Sequence, residues 1–164
     1  MSDELRQQFD RLLIDEYWLL DNDQLEDWLA LMTDDVRYWG PVREDLERGG
    51  EDFHRAHLLT HFDEDRGTMG LRVARLRTGS AHAEEPPSRV RHFVSNVKIL
   101  ETATVDHVRV ASNFMVFRSR SGREETFFVG ARRDWWVRMD GSWRLAERMI
   151  IFDHDIIDNI TVFI

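Results

Sequence analysis

Apolar residues in the first third of the chain recur at helical spacing. Leu5, Phe9, Leu12, Leu13 and Leu20 make one stripe, so a helix is predicted over Asp3–Leu20, with Ser2 available as a cap and acids in its first turn. Asp23-x-x-Glu26 resembles a capping box. It opens a short second helix carrying Leu25, Trp28, Leu29 and Met32 at i, i+3, i+4 and i+7. Val36–Val42 then reads as a short strand that Pro41 confines to an edge or an end. A charged loop, REDLERGGED (43–52), follows with its Gly49-Gly50 break. Met69, Val73 and Leu76 predict a third helix within Glu64–Arg77, and Pro86-Pro87 stops any helix beyond it.

From Arg89 onward the period changes to two. Val108, Val110, Phe114 and Val116 alternate with polar residues, and Arg120-Ser121-Gly122 is a turn signal. Asp140-Gly141, between Glu125–Met139 and Trp143–Phe152, is the strongest hairpin signal in the chain. Helices first and strands later, with short connections, predict an α+β fold: N-terminal helices packed on a curved antiparallel sheet. One domain over residues 1–164 is expected, with no repeat and no linker.

The late strands carry a pattern of their own. Alternation puts Arg132, Asp134 and Arg138 on one face and Arg133, Trp135 and Val137 on the other. In the next strand it puts Arg144 and Arg148 on one face and Glu147 on the other. Arginine and aromatic side chains along a sheet face suit either a protein interface or cross-strand pairing on a solvated face. The stretch Ile160-Thr161-Val162-Phe163-Ile164 is almost wholly apolar and is expected to dock on its own sheet or on a neighbour.

Composition narrows the function classes. A net charge of −9 argues against a nucleic-acid partner. No run of 18 apolar residues and no secretory leader pattern stand in the sequence, so a soluble, cytoplasmic chain without a membrane partner is expected. Cysteine is absent, which removes thiol catalysis, thiolate zinc sites and any cysteine-held cluster on this chain. Lys98 is the only lysine, so arginine supplies the other 21 basic residues; arginine is the residue of bidentate pairs and interfaces.

Two sets of residues could carry chemistry. In FHRAHLLTHFDED (53–65), His54 and His57, or His57 and His61, would share one face of a helix. His54 and His61 would lie about 10 Å apart on such a helix, so one ion could take only one pair, with a further ligand from elsewhere, for which Asp63 and Asp65 could serve. The competing reading is a polar loop leading into a helix. The second set is Asp34, Asp35, Tyr38 and His92, of which an acid, the tyrosine and the histidine could, inside a small cone, surround a carbonyl compound for proton abstraction or dehydration. Its competitor is a turn aspartate and a hydrogen-bonded strand histidine.

Residues 72–97, RVARLRTGSAHAEEPPSRVRHFVSNV, resemble the signature region of the small (beta) subunits of Rieske-type aromatic-ring-hydroxylating dioxygenases. Three blocks carry the likeness: Arg72-Val73 to Arg77-Thr78-Gly79, Pro86-Pro87-Ser88-Arg89, and Arg91-His92 leading to Ser95-Asn96-Val97. WLALMTDDVRYWGPVR (28–43) and the stretches 127–138 and 141–164 agree with it, while Ala81-His82 departs from the family's usual Ala-Trp. The resemblance implies a nuclear-transport-factor-2-like (cystatin-like) cone. It implies an α3β3 heterohexamer in which the small subunits form a trimeric base. The large (alpha) subunit would carry the Rieske [2Fe-2S] cluster and the mononuclear iron, leaving this chain without cofactor, metal or catalytic residues. Ferredoxin and reductase would bring electrons from NADH for cis-dihydroxylation of an arene. The residues then expected at subunit interfaces are Arg89, Arg91, His92, Trp135, Trp136 and Trp143. The alternative is a stand-alone dehydratase or isomerase of the same fold using Asp34, Tyr38 and His92.

Overall fold

At the turn Asp140-Gly141 both residues take positive φ, 51° and 78°, the conformation that a two-residue hairpin requires of its centre. The turn joins two of the six strands of a single sheet. The computed structural model describes residues 3–43, 59–78, 87–120, 124–154, 156–157 and 160–164. In chain order its elements are α1 (Asp3–Asp21), α2 (Leu25–Leu29), β1 (Met32–Pro41), β2 (Thr60–Asp65), α3 (Arg66–Arg77), β3 (Arg89–Thr104), β4 (His107–Arg120), β5 (Glu124–Met139) and β6 (Ser142–Phe152). Strands β3 to β6 form an antiparallel meander, and the sheet runs β2-β1-β6-β5-β4-β3.

The helix stripe is where the periodicity puts it: Phe9, Leu13 and Leu20 are buried, joined by Tyr17. They pack on Trp136, Trp143 and the inward residues of β4, Val108, Val110, Phe114 and Val116. Three expectations change. The α2 start makes no capping box: Asp23 sits at φ 58° and Gln24 makes no side-chain cap. Asp23 and Glu26 instead grip Arg77 at the end of α3, tying the two short helices together. Met32 begins β1 rather than ending α2. The third helix starts later than Glu64, because Asp65 caps it: its carboxylate accepts from the Thr68 amide at 2.8 Å, and Thr68 Oγ1 accepts from the Asp65 amide at 3.0 Å.

The sheet is mixed rather than antiparallel throughout. β1 runs parallel to β6, with Tyr38 opposite Arg148 and Trp39 opposite Met149. Hairpin chemistry sets the direction of strands adjacent in sequence; this pair meets through tertiary packing, and no local signal reports it. A second correction follows from a bulge in β6. Trp135 pairs with Glu147 but Trp136 with Leu145, so Ala146 is extra. An extra residue reverses the alternation, which leaves Leu145 and Arg148 both inward and Arg144 on the other face from Arg148. On β5 the alternation holds, with Arg132, Asp134 and Trp136 buried.

Two glycines test this packing. Nothing lies within 4 Å of a methyl group added at Gly70 in α3, whereas one at Gly130 would stand 2.0 Å from the Ile151 carbonyl oxygen. Gly70→Ala is therefore expected to raise stability by about 0.5–1 kcal/mol. Gly130→Ala is expected to cost about 1–3 kcal/mol by forcing β5 and β6 apart. Urea denaturation of both variants checks the opposite signs.

Candidate functional site

Between α1 and the sheet lies a buried set of charges. Glu16, on the inner face of α1, faces Arg148 of β6, which is held on its other side by Asp134 of β5. One guanidinium nitrogen donates to each carboxylate at 2.8 Å, with further contacts from Arg148 Nη1 to Glu16 and from Nε to Asp134 at 2.9 Å. Trp28 of α2 donates its indole N–H to Glu16 at 3.1 Å. Arg132 stands 3.8 Å from the second Glu16 oxygen and 4.6 Å over the Tyr17 ring. Burial pushes the Glu16 carboxyl up, but Arg148, Arg132 and Trp28 outweigh it and hold the group at about 2, against an ordinary 4.5. Burial likewise pushes the Tyr17 and Tyr38 phenols up. This charge set, fully buried, binds α1 and α2 to the sheet.

His54 and His57 lie outside the described residues, and His61 sits on strand β2, where a neighbour four residues back would not share a helical face. Asp63 is taken by Arg37 in a two-pronged pair at 2.7 and 3.0 Å, and Asp65 by the helix cap. Among the described residues no three histidine or carboxylate side chains group around a common point.

Asp34, Tyr38 and His92 do not converge either. The Asp34 side chain is fully exposed, 3.7 Å from Arg66. Tyr38 and His92 are buried and hold the segment 160–164. Tyr38 Oη donates to the Ile164 carbonyl and accepts from the Ile164 amide at 3.2 Å. The Phe163 carbonyl accepts from His92 Nε2 at 2.9 Å, while His92 Nδ1 lies 2.6 Å from Asp21 Oδ1. The carboxylate partner of His92 is thus Asp21, at the end of α1, a pairing across 71 residues that no spacing in the sequence signals.

The residues expected at interfaces divide. Arg89 is exposed, and Arg91 keeps its side chain 62% exposed while reaching Asp21 at 3.3 Å. Trp135 is half-buried on the helix-free face beneath Arg109, whose guanidinium lies 4.8 Å from its ring. Trp136 and Trp143 are core residues packed on Phe9, at 5.9 and 5.1 Å; as surface anchors they are corrected, because both point to the helix side. His92 is likewise inside the fold.

Composition underestimated the helix-free face itself. On β3, β4 and β5, Phe93 lies opposite Met115 and Met115 opposite Val129, while Arg91, Phe117 and Phe127 make the adjoining row. Phe93 is 49% and Phe127 50% exposed. At the other end of the same face Trp39 is closed off, with Arg37 stacked at 4.1 Å and Glu147 accepting from its indole N–H at 2.9 Å. Strand alternation could have found these apolar outward positions.

A sheet wrapped on helices in this way is a nuclear-transport-factor-2-like fold. The chain matches, over 90% of its length and at 18% identity, an ntf2-like protein with a cystatin-like fold from Novosphingobium aromaticivorans, covering 81% of that chain with a TM-score of 0.58. The family described as ring hydroxylating beta subunit matches residues 15–159, and the chain belongs to that family. Two further solved structures share the fold more fully. Naphthalene 1,2-dioxygenase with indole bound in the active site superposes with a TM-score of 0.86 at 24% identity, over 100% of this chain and 88% of that one. The beta subunit of benzoate 1,2-dioxygenase from Burkholderia mallei gives 0.72 at 20%, over 94% and 95%.

The buried charge set has a measurable signature. Because the folded Glu16 is held below its ordinary value, its contribution is complete above about pH 4.5 and is lost as pH falls toward 2. Glu16→Gln is expected to cost about 3 kcal/mol near neutral pH, by leaving Arg148 and Arg132 with too little opposite charge. It should also flatten that acid limb. Chemical denaturation of both proteins across pH 2–7 checks both effects.

Proposed function

We propose that this chain is the non-catalytic, assembly-forming small subunit of the terminal oxygenase of a cytoplasmic, multicomponent aromatic-ring-hydroxylating dioxygenase. In this reading it occupies an α3β3 hexamer, trimerises with its own copies and holds the large subunits in register. The large subunits bear the Rieske cluster and the mononuclear iron. Ferredoxin and reductase deliver electrons derived from NADH, and both atoms of O2 enter the arene as a cis-dihydrodiol. Family membership supports the reading at the level of the subunit.

The observation that carries the assembly role is the apolar row on the helix-free face, Phe93, Phe127 and their cross-strand neighbours, rimmed by Arg89 and Arg91. Aromatic side chains ringed by arginine are the usual composition of a protein contact. A second apolar pair, Ile14 and Trp18, is exposed on α1, which suits a subunit that meets two kinds of neighbour.

Co-expressed with its large subunit, the tagged chain should co-purify in equal stoichiometry with iron and acid-labile sulfide. Phe127→Asp should abolish that assembly, and Arg91→Ala should weaken it by about tenfold or more, while circular dichroism of both isolated variants stays that of the wild type. Assembly of Phe127→Asp at wild-type affinity would remove the helix-free face from the contact. A chain that purifies alone under all conditions would remove the assembly role.

A further inference from the structure

Two clefts open beside the segment 160–164. One, of about 230 Å3, has Tyr38, Phe62 and Arg72 in its wall; the other, of about 440 Å3, has Asp21, Leu25 and His92. Val162 and Phe163 belong to both walls. The segment is therefore a partition. The larger cleft by itself falls within the range of about 300–1,000 Å3 that small-molecule sites occupy.

The partition is held the way a ligand is held. Among the described residues, no backbone-to-backbone hydrogen bond knits it to a neighbouring element. Side chains from five elements hold it instead. The Phe163 ring lies 4.5 Å from the Trp28 ring of α2, with the Arg72 guanidinium of α3 at 4.2 Å from its centroid. Its carbonyl accepts from His92 of β3, the N–H of that same peptide, on Ile164, donates to Tyr38 of β1, whose hydroxyl donates to the Ile164 oxygen, and Thr161 accepts from Arg118 of β4 at 2.7 Å. The recognised group is thus an aromatic ring, gripped between an indole and a cation, with a carbonyl and an amide directly beside it.

We propose that the interior of the cone is a binding site for small aryl amides, and that residues 160–164 fill it as a tethered ligand that a free molecule of the same chemistry replaces. The inference is independent of the assembly role, since the site lies on the opposite side of the sheet from the apolar row. A free ligand meets the wild-type site only in the fraction of molecules whose segment is withdrawn, so its apparent affinity is reduced by that fraction.

The test uses the full chain carrying Phe163→Ala and two probes, N-acetyl-L-phenylalaninamide and N-acetyl-L-alaninamide. The variant is expected to melt about 10 °C below the wild type. The aromatic probe at ten times its Kd should restore about 4 °C, the alanine probe should restore none, and the wild type should bind the aromatic probe at least tenfold more weakly by calorimetry. Adding Tyr38→Phe, which keeps the ring slot and removes the polar anchor, should weaken the probe further. Equal rescue by both probes, equal affinity in wild type and variant, or an unchanged melting temperature would each overturn the proposal. If Phe163→Ala does not fold, Phe163→Leu takes its place with the same expected ranking. Failure of both to fold would make the ring an indispensable core group and overturn it as well.

Discussion

A carboxylate buried under a helix constrains everything around it. An apolar stripe tells α1 which side to bury but tolerates sliding and rotation, since one leucine contact substitutes for another. Glu16 tolerates neither. Its charge is stable only where Arg148 and the Trp28 indole meet it, and Arg148 is itself fixed by Asp134. One side chain therefore registers α1, α2, β5 and β6 at once. The wall of the cone, including Tyr38 beside Arg148 at 5.8 Å, inherits its position from that contact.

Much of this fold was legible in the sequence wherever the cause is local. The α1 stripe, the Asp140-Gly141 hairpin and the alternation along β5 depend on neighbours a few residues away, and each is present where periodicity puts it. Locality also marks the failures. Residues 60–65 lie next to a helix start and share its polarity, yet pair with β1 because a strand edge is available there. The inserted Ala146 has no composition of its own, and it turns Arg148 inward away from the face of Arg144.

The candidate residues divide by the same logic. Arg89 and Arg91 read as outward strand positions and are exposed. Asp34, Tyr38 and His92 have the right chemistry for a pocket, but Asp34 and Tyr38 part ways on β1, where the register with β6 is irregular between Met32 and Arg37: Tyr38 is buried and Asp34 stands in solvent. The partners that His92 and Tyr38 do have, Asp21 and residues 163–164, come from distant parts of the chain. The two sides of the sheet consequently differ: the inner is filled by the chain's own residues, and the outer leaves phenylalanines in water.

The parallel pairing of β1 with β6 has a bearing on biosynthesis. A ribosome makes β1 well before β6, with four other strands between them, so Tyr38 cannot meet Arg148, nor Glu16 its arginine, until β6 has emerged. Through that interval α1 carries an uncompensated acid on its apolar side, and β1 has only β2 as a pairing neighbour. Such non-local closure is slow and exposes strand edges while it waits. The length of that wait is set by elongation speed and temperature, which govern how long the strand edge and the acid stay unpaired.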